Sequence, residues 1–199
     1  MTGFNPSGKN LNGANFQGTN NFDASILNNA SNINNVKLAG LDMTGFNPSG
    51  RTLNGMDFSN TTGLNVVGLN TASDLRNVKL EGIDLTGFNP GTKSLLGVSL
   101  ANSTGFNAAN LNNIPTNNFT NLNLSGIDLT GFNPAGKNLT GVNLSNTTGL
   151  TRAALFSAGN LTNVKLQGFN FTYPPIPSIH ASTRVERPIG VAELGVLQE

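Results

Sequence analysis

Val78-Lys79-Leu80-Glu81-Gly82-Ile83-Asp84-Leu85-Thr86-Gly87 holds two consecutive five-residue steps. Each step reads apolar, charged, apolar, then two residues ending in glycine. Apolar–polar–apolar is the period-2 sign of a short strand with one buried face. The glycine marks a corner, because it tolerates the positive φ that several tight turns require. A helix needs apolar residues at 3.6-residue spacing, which a five-residue beat does not supply, and frequent Gly and Asn weaken helices further.

The beat extends in both directions. Around the quoted stretch, Leu53, Phe58, Leu64, Leu69, Leu75, Leu80 and Leu85 recur in steps of five or six, and Pro90 follows. Leu139, Leu144, Leu150, Leu155, Leu161, Leu166 and Phe171 repeat the pattern. A second apolar row stands two residues earlier at Val78, Ile83, Val98, Leu122, Ile127, Val142, Val164 and Phe169. Gly13, Gly40, Gly55, Gly82, Gly97, Gly126, Gly141 and Gly168, with Asn60, Asn102 and Asn146, fall at the expected corners. A longer period encloses these steps. Thr-Gly-Phe-Asn-Pro begins at Thr2, Thr44, Thr86 and Thr130, giving four tandem repeats, 2–43, 44–85, 86–129 and 130–171. Self-similarity of this length marks a solenoid.

Ala14-Asn15-Phe16-Gln17-Gly18, Met56-Asp57-Phe58-Ser59-Asn60, Ile83-Asp84-Leu85-Thr86-Gly87, Ile127-Asp128-Leu129-Thr130-Gly131 and Val142-Asn143-Leu144-Ser145-Asn146 resemble the pentapeptide-repeat family, whose motif is roughly Ala-(Asp/Asn)-Leu-x-x. The resemblance extends over residues 2–171. It implies an all-β fold, a right-handed quadrilateral β-helix of about eight coils, two per repeat. At the usual strand spacing such a rod is about 38 Å long. The chain departs from the motif where two steps of each eight are six residues long, which implies bulged corners. It departs again where Val, Ile, Met or Phe replaces the small Ala. The alternative fold is a leucine-rich-repeat solenoid, since Leu53-x-x-Met56-x-Phe58 and Leu80-x-x-Ile83-x-Leu85 look like its strand motif. Their uneven spacing in the chain speaks against it.

Composition narrows the function. Asparagine makes up about a sixth of the 199 residues, charged residues are 11%, and the formal net charge is +1. A neutral chain offers no electrostatic capture of nucleic acid or anionic membrane. With no cysteine there are no disulfides or thiolate sites. No signal peptide or transmembrane run is legible, so the expected location is the cytoplasm or an assembled particle.

No catalytic, cofactor-binding or metal-binding residue is expected, and no small-molecule substrate. Gly3 through Lys9 and Gly131 through Lys137 match G-x-x-x-x-G-K, but Asn10 and Asn138 stand where a phosphate loop needs Ser or Thr. The second copy has Arg51 in place of lysine, and the third, ending at Lys93, loses the register. An element copied once per repeat reads as a corner. Asp42, Asp84 and Asp128, with Asn170 in the fourth copy, form one outward row. Lys37, Lys79 and Lys165, with Asn123 in the third, form another. Both read as solvated stripes on neighbouring faces, alternatively as a docking stripe. His180 is the only histidine and has no partner set for catalysis or metal binding.

Residues 172–199 break the pattern and read as a cap or docking tail, with Tyr173 and its prolines over the last coil. Ile176, Ile179, Val185, Ile189, Val191, Leu194 and Leu197 are available for packing. The N-terminal coil, starting at Thr2, has no visible cap. Open ends of a solenoid invite association. The expected function is therefore a non-enzymatic structural or protein-interaction rod, including a virus or phage component. Its expected partners are a protein or a second copy, through the N-terminal coil and the 172–199 tail. The alternatives are a topoisomerase-binding DNA mimic, which the neutral charge disfavours, and an ice- or glycan-binding surface.

Overall fold

The computed structural model describes residues 4–169. Its backbone winds so that each turn bonds to the next. The N–H of Phe16 donates to the carbonyl of Lys37, Leu38 to Asp57, Phe58 to Lys79, Leu80 to Ser99, Leu100 to Asn123, Leu124 to Asn143 and Leu144 to Lys165. Partners are thus 19 to 23 residues apart, one coil of chain.

The coils meet along three rows of parallel bridges. One row runs without interruption through eight residues, Asn15, Lys37, Asp57, Lys79, Ser99, Asn123, Asn143 and Lys165. A second holds Asn10–Asn32, Thr52–Asp74 and Asn138–Asn160, and a third Asp42–Thr62, Asp84–Thr104 and Asp128–Thr148. Every bridge is isolated, so the short strands read from the sequence reduce to single pairing residues among the described residues. The reason is the density of corners, which leaves too few extended residues between turns for a longer ladder. Three separate rows of bridges, where a leucine-rich repeat needs one strand ladder, speak against the leucine-rich-repeat alternative.

Residues flanking each bridge point inward. Leu53, Phe58, Leu80 and Leu85 are at most 1% exposed, and one continuous cluster joins them to Val36, Leu38, Val78, Val98, Leu122, Ile127 and Val142. Leu64, Leu161, Val164 and Leu166 are only partly buried.

One further stretch of the winding alternates. Every second coil carries a short helical turn there, at Ala24–Asn29, Val66–Leu69, Ala108–Asn113 and Arg152–Phe156. The turns Val66–Leu69 and Arg152–Phe156 fall on the five-residue steps that reach Leu69 and Leu155, and the six-residue steps, expected as bulged corners, flank them. An all-β reading missed them because four to six residues never complete an apolar helical period. A signal was nevertheless present. Asp23, Asn65, Asn107 and Thr151 each cap the following N–H groups through the side chain.

The intervening coils carry Thr-Gly-Phe-Asn-Pro in that stretch, and an amide clamp joins the two kinds of coil. Asn28 Nδ2 donates to the Gly45 carbonyl at 2.8 Å while its Oδ1 accepts the Asn47 N–H at 2.8 Å. Asn70 holds Gly87 and Asn89 in the same way, and Asn112 holds Gly131 and Asn133.

Two corners show the same doubling. Asn35, Asn60, Asn77, Asn102, Asn121 and Asn146 adopt positive φ. Their carboxamides lie where a Cβ would stand on Gly55, Gly82, Gly97, Gly126, Gly141 and Gly168 of the next coil. A side chain on one coil thus requires its absence on the neighbour, which makes the sequence period two coils. Gly55→Ala is expected to lose stability twice over, by about 1–2 kcal/mol for the left-handed backbone and by about 1–3 kcal/mol for overlap with Asn35. Gly40→Ala meets nothing within 4 Å and carries the first cost alone. Urea unfolding of the two variants checks this, and equal losses would refute the stacking.

Candidate interaction surface

The residue between the inward pair has a local duty. In Asp57, Asn123, Asn143 and many others, Oδ1 accepts the N–H two residues on, closing the corner. Asp42, Asp84 and Asp128 each accept both the N–H and the hydroxyl of Thr44, Thr86 or Thr130, at 2.9 and 2.7 Å. These carboxylates point outward, as read from the sequence, and are engaged in their own turns.

The charge rows differ from the expected pair of stripes. Asp57 stands between Lys37 and Lys79 on the uninterrupted row, and its Oδ2 is 3.5 Å from Lys79 Nζ. The row of Asp42, Asp84 and Asp128 is interleaved with Thr62, Thr104 and Thr148. Like charges two coils apart implied a stripe. The intervening coils, which the sequence period conceals, break it into mixed polar rows. An exposed pair such as Lys79–Asp57 contributes under about 1 kcal/mol. Asp74 and Arg76, 2.7 Å apart, were not foreseen, because no other repeat carries that pair.

The G-x-x-x-x-G-K segments hold protein carbonyls. Lys137 Nζ donates to the carbonyls of Asn112 and Ile114 at 3.0 and 2.6 Å, and lies over the Phe119 ring. Arg51 donates from both terminal nitrogens to the carbonyls of Asn28 and Ala30. In each case the cation meets the end of a helical turn one coil below, where free carbonyls gather. Lys93, in the copy that loses register, lies beside Ser73, Asp74 and Arg76 instead.

A cleft of about 520 Å³ runs between Thr61–Val67 and Gly82–Thr86, with Leu64 and Val66 on its wall and Asp84 at its rim. Among the described residues, no cluster of His, Cys, Asp or Glu is arranged to hold a metal ion. No helix among them is long and apolar enough to cross a membrane. His180, Tyr173, Asn170 and the rest of the 172–199 tail lie outside the described residues.

Stacked coils with a Gly or Asn corner every few residues are what a resemblance to pentapeptide repeats implies. The family model for pentapeptide repeats (8 copies) matches residues 118–148. That match supports the pentapeptide-repeat family, and the stretch is one of unbroken five-residue steps, Phe119, Leu124, Leu129, Pro134, Leu139 and Leu144. No curated protein matches the sequence.

Hydrogen bonds from the Thr44 backbone and hydroxyl hold the Asp42 carboxyl below its ordinary value. Those of Thr130 do so for Asp128, and those of Thr86 for Asp84. Asp74, bonded by Arg76, is lowered as well. A carboxyl with a depressed folded-state pKa stabilises above its unfolded value, near 3.9, and loses that contribution as pH falls through the folded value. The melting temperature is therefore expected to fall below about pH 4. Replacing Asp42, Asp84 and Asp128 with Asn should flatten that fall, leaving the shares of Asp57 and Asp74, whose carboxyls are also held low; an unaltered profile would contradict it. Lys137→Met is expected to cost about 1–2 kcal/mol in urea unfolding. Millimolar ATP should leave the melting temperature of the parent chain unchanged.

Proposed function

We propose that the chain is a right-handed quadrilateral β-helix of about eight coils, formed by four repeats at 2–43, 44–85, 86–129 and 130–171. We assign it a non-enzymatic role as a structural and protein-interaction rod within a larger assembly such as a virus or phage particle. The observation that carries this reading is the uninterrupted row from Asn15 to Lys165, which gives one long face of fixed spacing and mixed polarity. Pentapeptide-repeat proteins are often protein-interaction proteins of this non-enzymatic kind. The ends of the stack are the proposed contact points, the N-terminal coil at one end and the 172–199 tail at the other. Phe4, packed on Phe16 with ring centroids 5.9 Å apart, is 38% exposed in the first described coil and offers apolar surface to a partner.

The near balance of 11 basic and 10 acidic residues argues against mimicry of DNA, which needs dense negative charge. Carboxylates between Thr62, Thr104 and Thr148 argue against a flat ice-binding ladder. Fractionation of the native source is the test. The chain is expected to co-purify stoichiometrically with a particle or a defined complex, and recovery solely as a free monomer would overturn the assembly role. Small-angle scattering should give a rod whose stacked part is about 38 Å long, and a supercoiling assay should show no inhibition of gyrase.

A further inference from the structure

Asn-Gly occurs twice in the chain, at Asn12-Gly13 and Asn54-Gly55, at the same position of successive repeats and each time after a leucine. The two turns match as well. Ala14 N–H donates to the Leu11 carbonyl and Met56 N–H to the Leu53 carbonyl, with Gly13 and Gly55 at φ 75° and 72°. Asn-Gly is a reactive pair, because glycine has no Cβ to shield its nitrogen. That nitrogen can attack the asparagine Cγ, expelling ammonia and closing a cyclic imide. Water then opens the ring at either carbonyl, giving aspartate or isoaspartate.

The surroundings of the two pairs differ. Asn54-Gly55 is tied to both adjacent coils. Asn35 N–H donates to the Asn54 carbonyl at 2.8 Å, and Gly55 N–H donates to the Arg76 carbonyl at 2.9 Å. The Asn35 carboxamide fills the space over Gly55, and Asn54 Nδ2 reaches Asp74 Oδ2 at 3.4 Å. Asn12-Gly13 is tied on one side among the described residues. Gly13 N–H donates to the Asn34 carbonyl at 2.9 Å, and Asn12 Oδ1 accepts from Asn35 Nδ2 at 3.0 Å. Among the described residues nothing stands within 4 Å of a Cβ placed on Gly13, and Asn12 and Gly13 are both exposed. In either pair the glycine nitrogen must leave its carbonyl before it can attack. Coils that bond only to their neighbours open more readily where one neighbour holds them than where two do.

We propose that Asn12 is a modification site, deamidating spontaneously in the folded protein, while the stack keeps Asn54 intact. The isoaspartate product adds one methylene to the main chain inside the turn that Ala14 closes on Leu11. Conversion therefore loosens the first described coil and leaves a carboxylate on it. The rod reading stands independently, since only this coil is at issue.

The test is incubation of the full chain in mildly alkaline buffer, well below its melting temperature, followed by peptide mapping. Mass spectrometry detects the exchange of amide for acid, and chromatography separates isoaspartate from aspartate. Asn12 is expected to convert at least about ten-fold faster than Asn54. In urea that unfolds the chain, the two should convert at similar rates. Thr140→Asn creates the same pair before Gly141 in an inner coil, where the Thr140 carbonyl accepts the Asn121 N–H. Position 140 should then stay as intact as Asn54. Equal rates at Asn12 and Asn54 in the folded chain, an unconverted Asn12, or conversion at position 140 as fast as at Asn12 would overturn the proposal. An advantage of Asn12 that persists in urea would assign the difference to local sequence and overturn it equally.

Discussion

Left-handed corners govern this molecule. About one described residue in six passes through positive φ, and only Gly and Asn do so at modest cost. Gly tolerates it by having no Cβ; Asn tolerates it while carrying a carboxamide that must go somewhere. The space available is above the corner of the next coil, and it is vacant only if that corner is Gly. Asn35 over Gly55 and Asn60 over Gly82 are instances of one rule, and the rule accounts for a 42-residue period built from coils of about half that length. The dry interior supplies the driving force, but the corners decide where each side chain falls.

The same economy extends to the outer surface. Asp42, Asp84 and Asp128 look like a stripe in sequence, and the lysine or arginine after each G-x-x-x-x-G looks like a phosphate ligand. In the fold the carboxylates close turns onto Thr44, Thr86 and Thr130, while Lys137 and Arg51 satisfy carbonyls of the coil below. Polar residues that recur once per repeat are mostly consumed by the backbone, which each coil must satisfy before any ligand is served.

How much of this was legible depends on the range of the interaction. The inward rows, Leu53 to Leu85 and Val78 to Val142, and the glycine corners could be read directly, because each is a local pattern of two or five residues. The interleaving of Asp57 between Lys37 and Lys79 could not, since it requires knowing which residue lies one coil away when coils differ in length. The helical turns were obscured for a different reason. Leu69 and Leu155 keep the five-residue beat while the backbone around them coils tightly, so the apolar register conceals the change. Capping residues Asn65 and Thr151 were the available clue. On function the sequence and the fold speak alike, through a neutral and regular surface whose charged groups are largely committed to the structure itself.

The most direct measurement is a map of amide pairing by through-hydrogen-bond NMR couplings. Coil-on-coil winding predicts couplings from the Phe58 amide to the Lys79 carbonyl and from the Leu80 amide to the Ser99 carbonyl, pairs that are distant in sequence and adjacent in the stack. Couplings confined to neighbours three or four residues apart would mean a helical chain, and the stacked-corner account would be wrong.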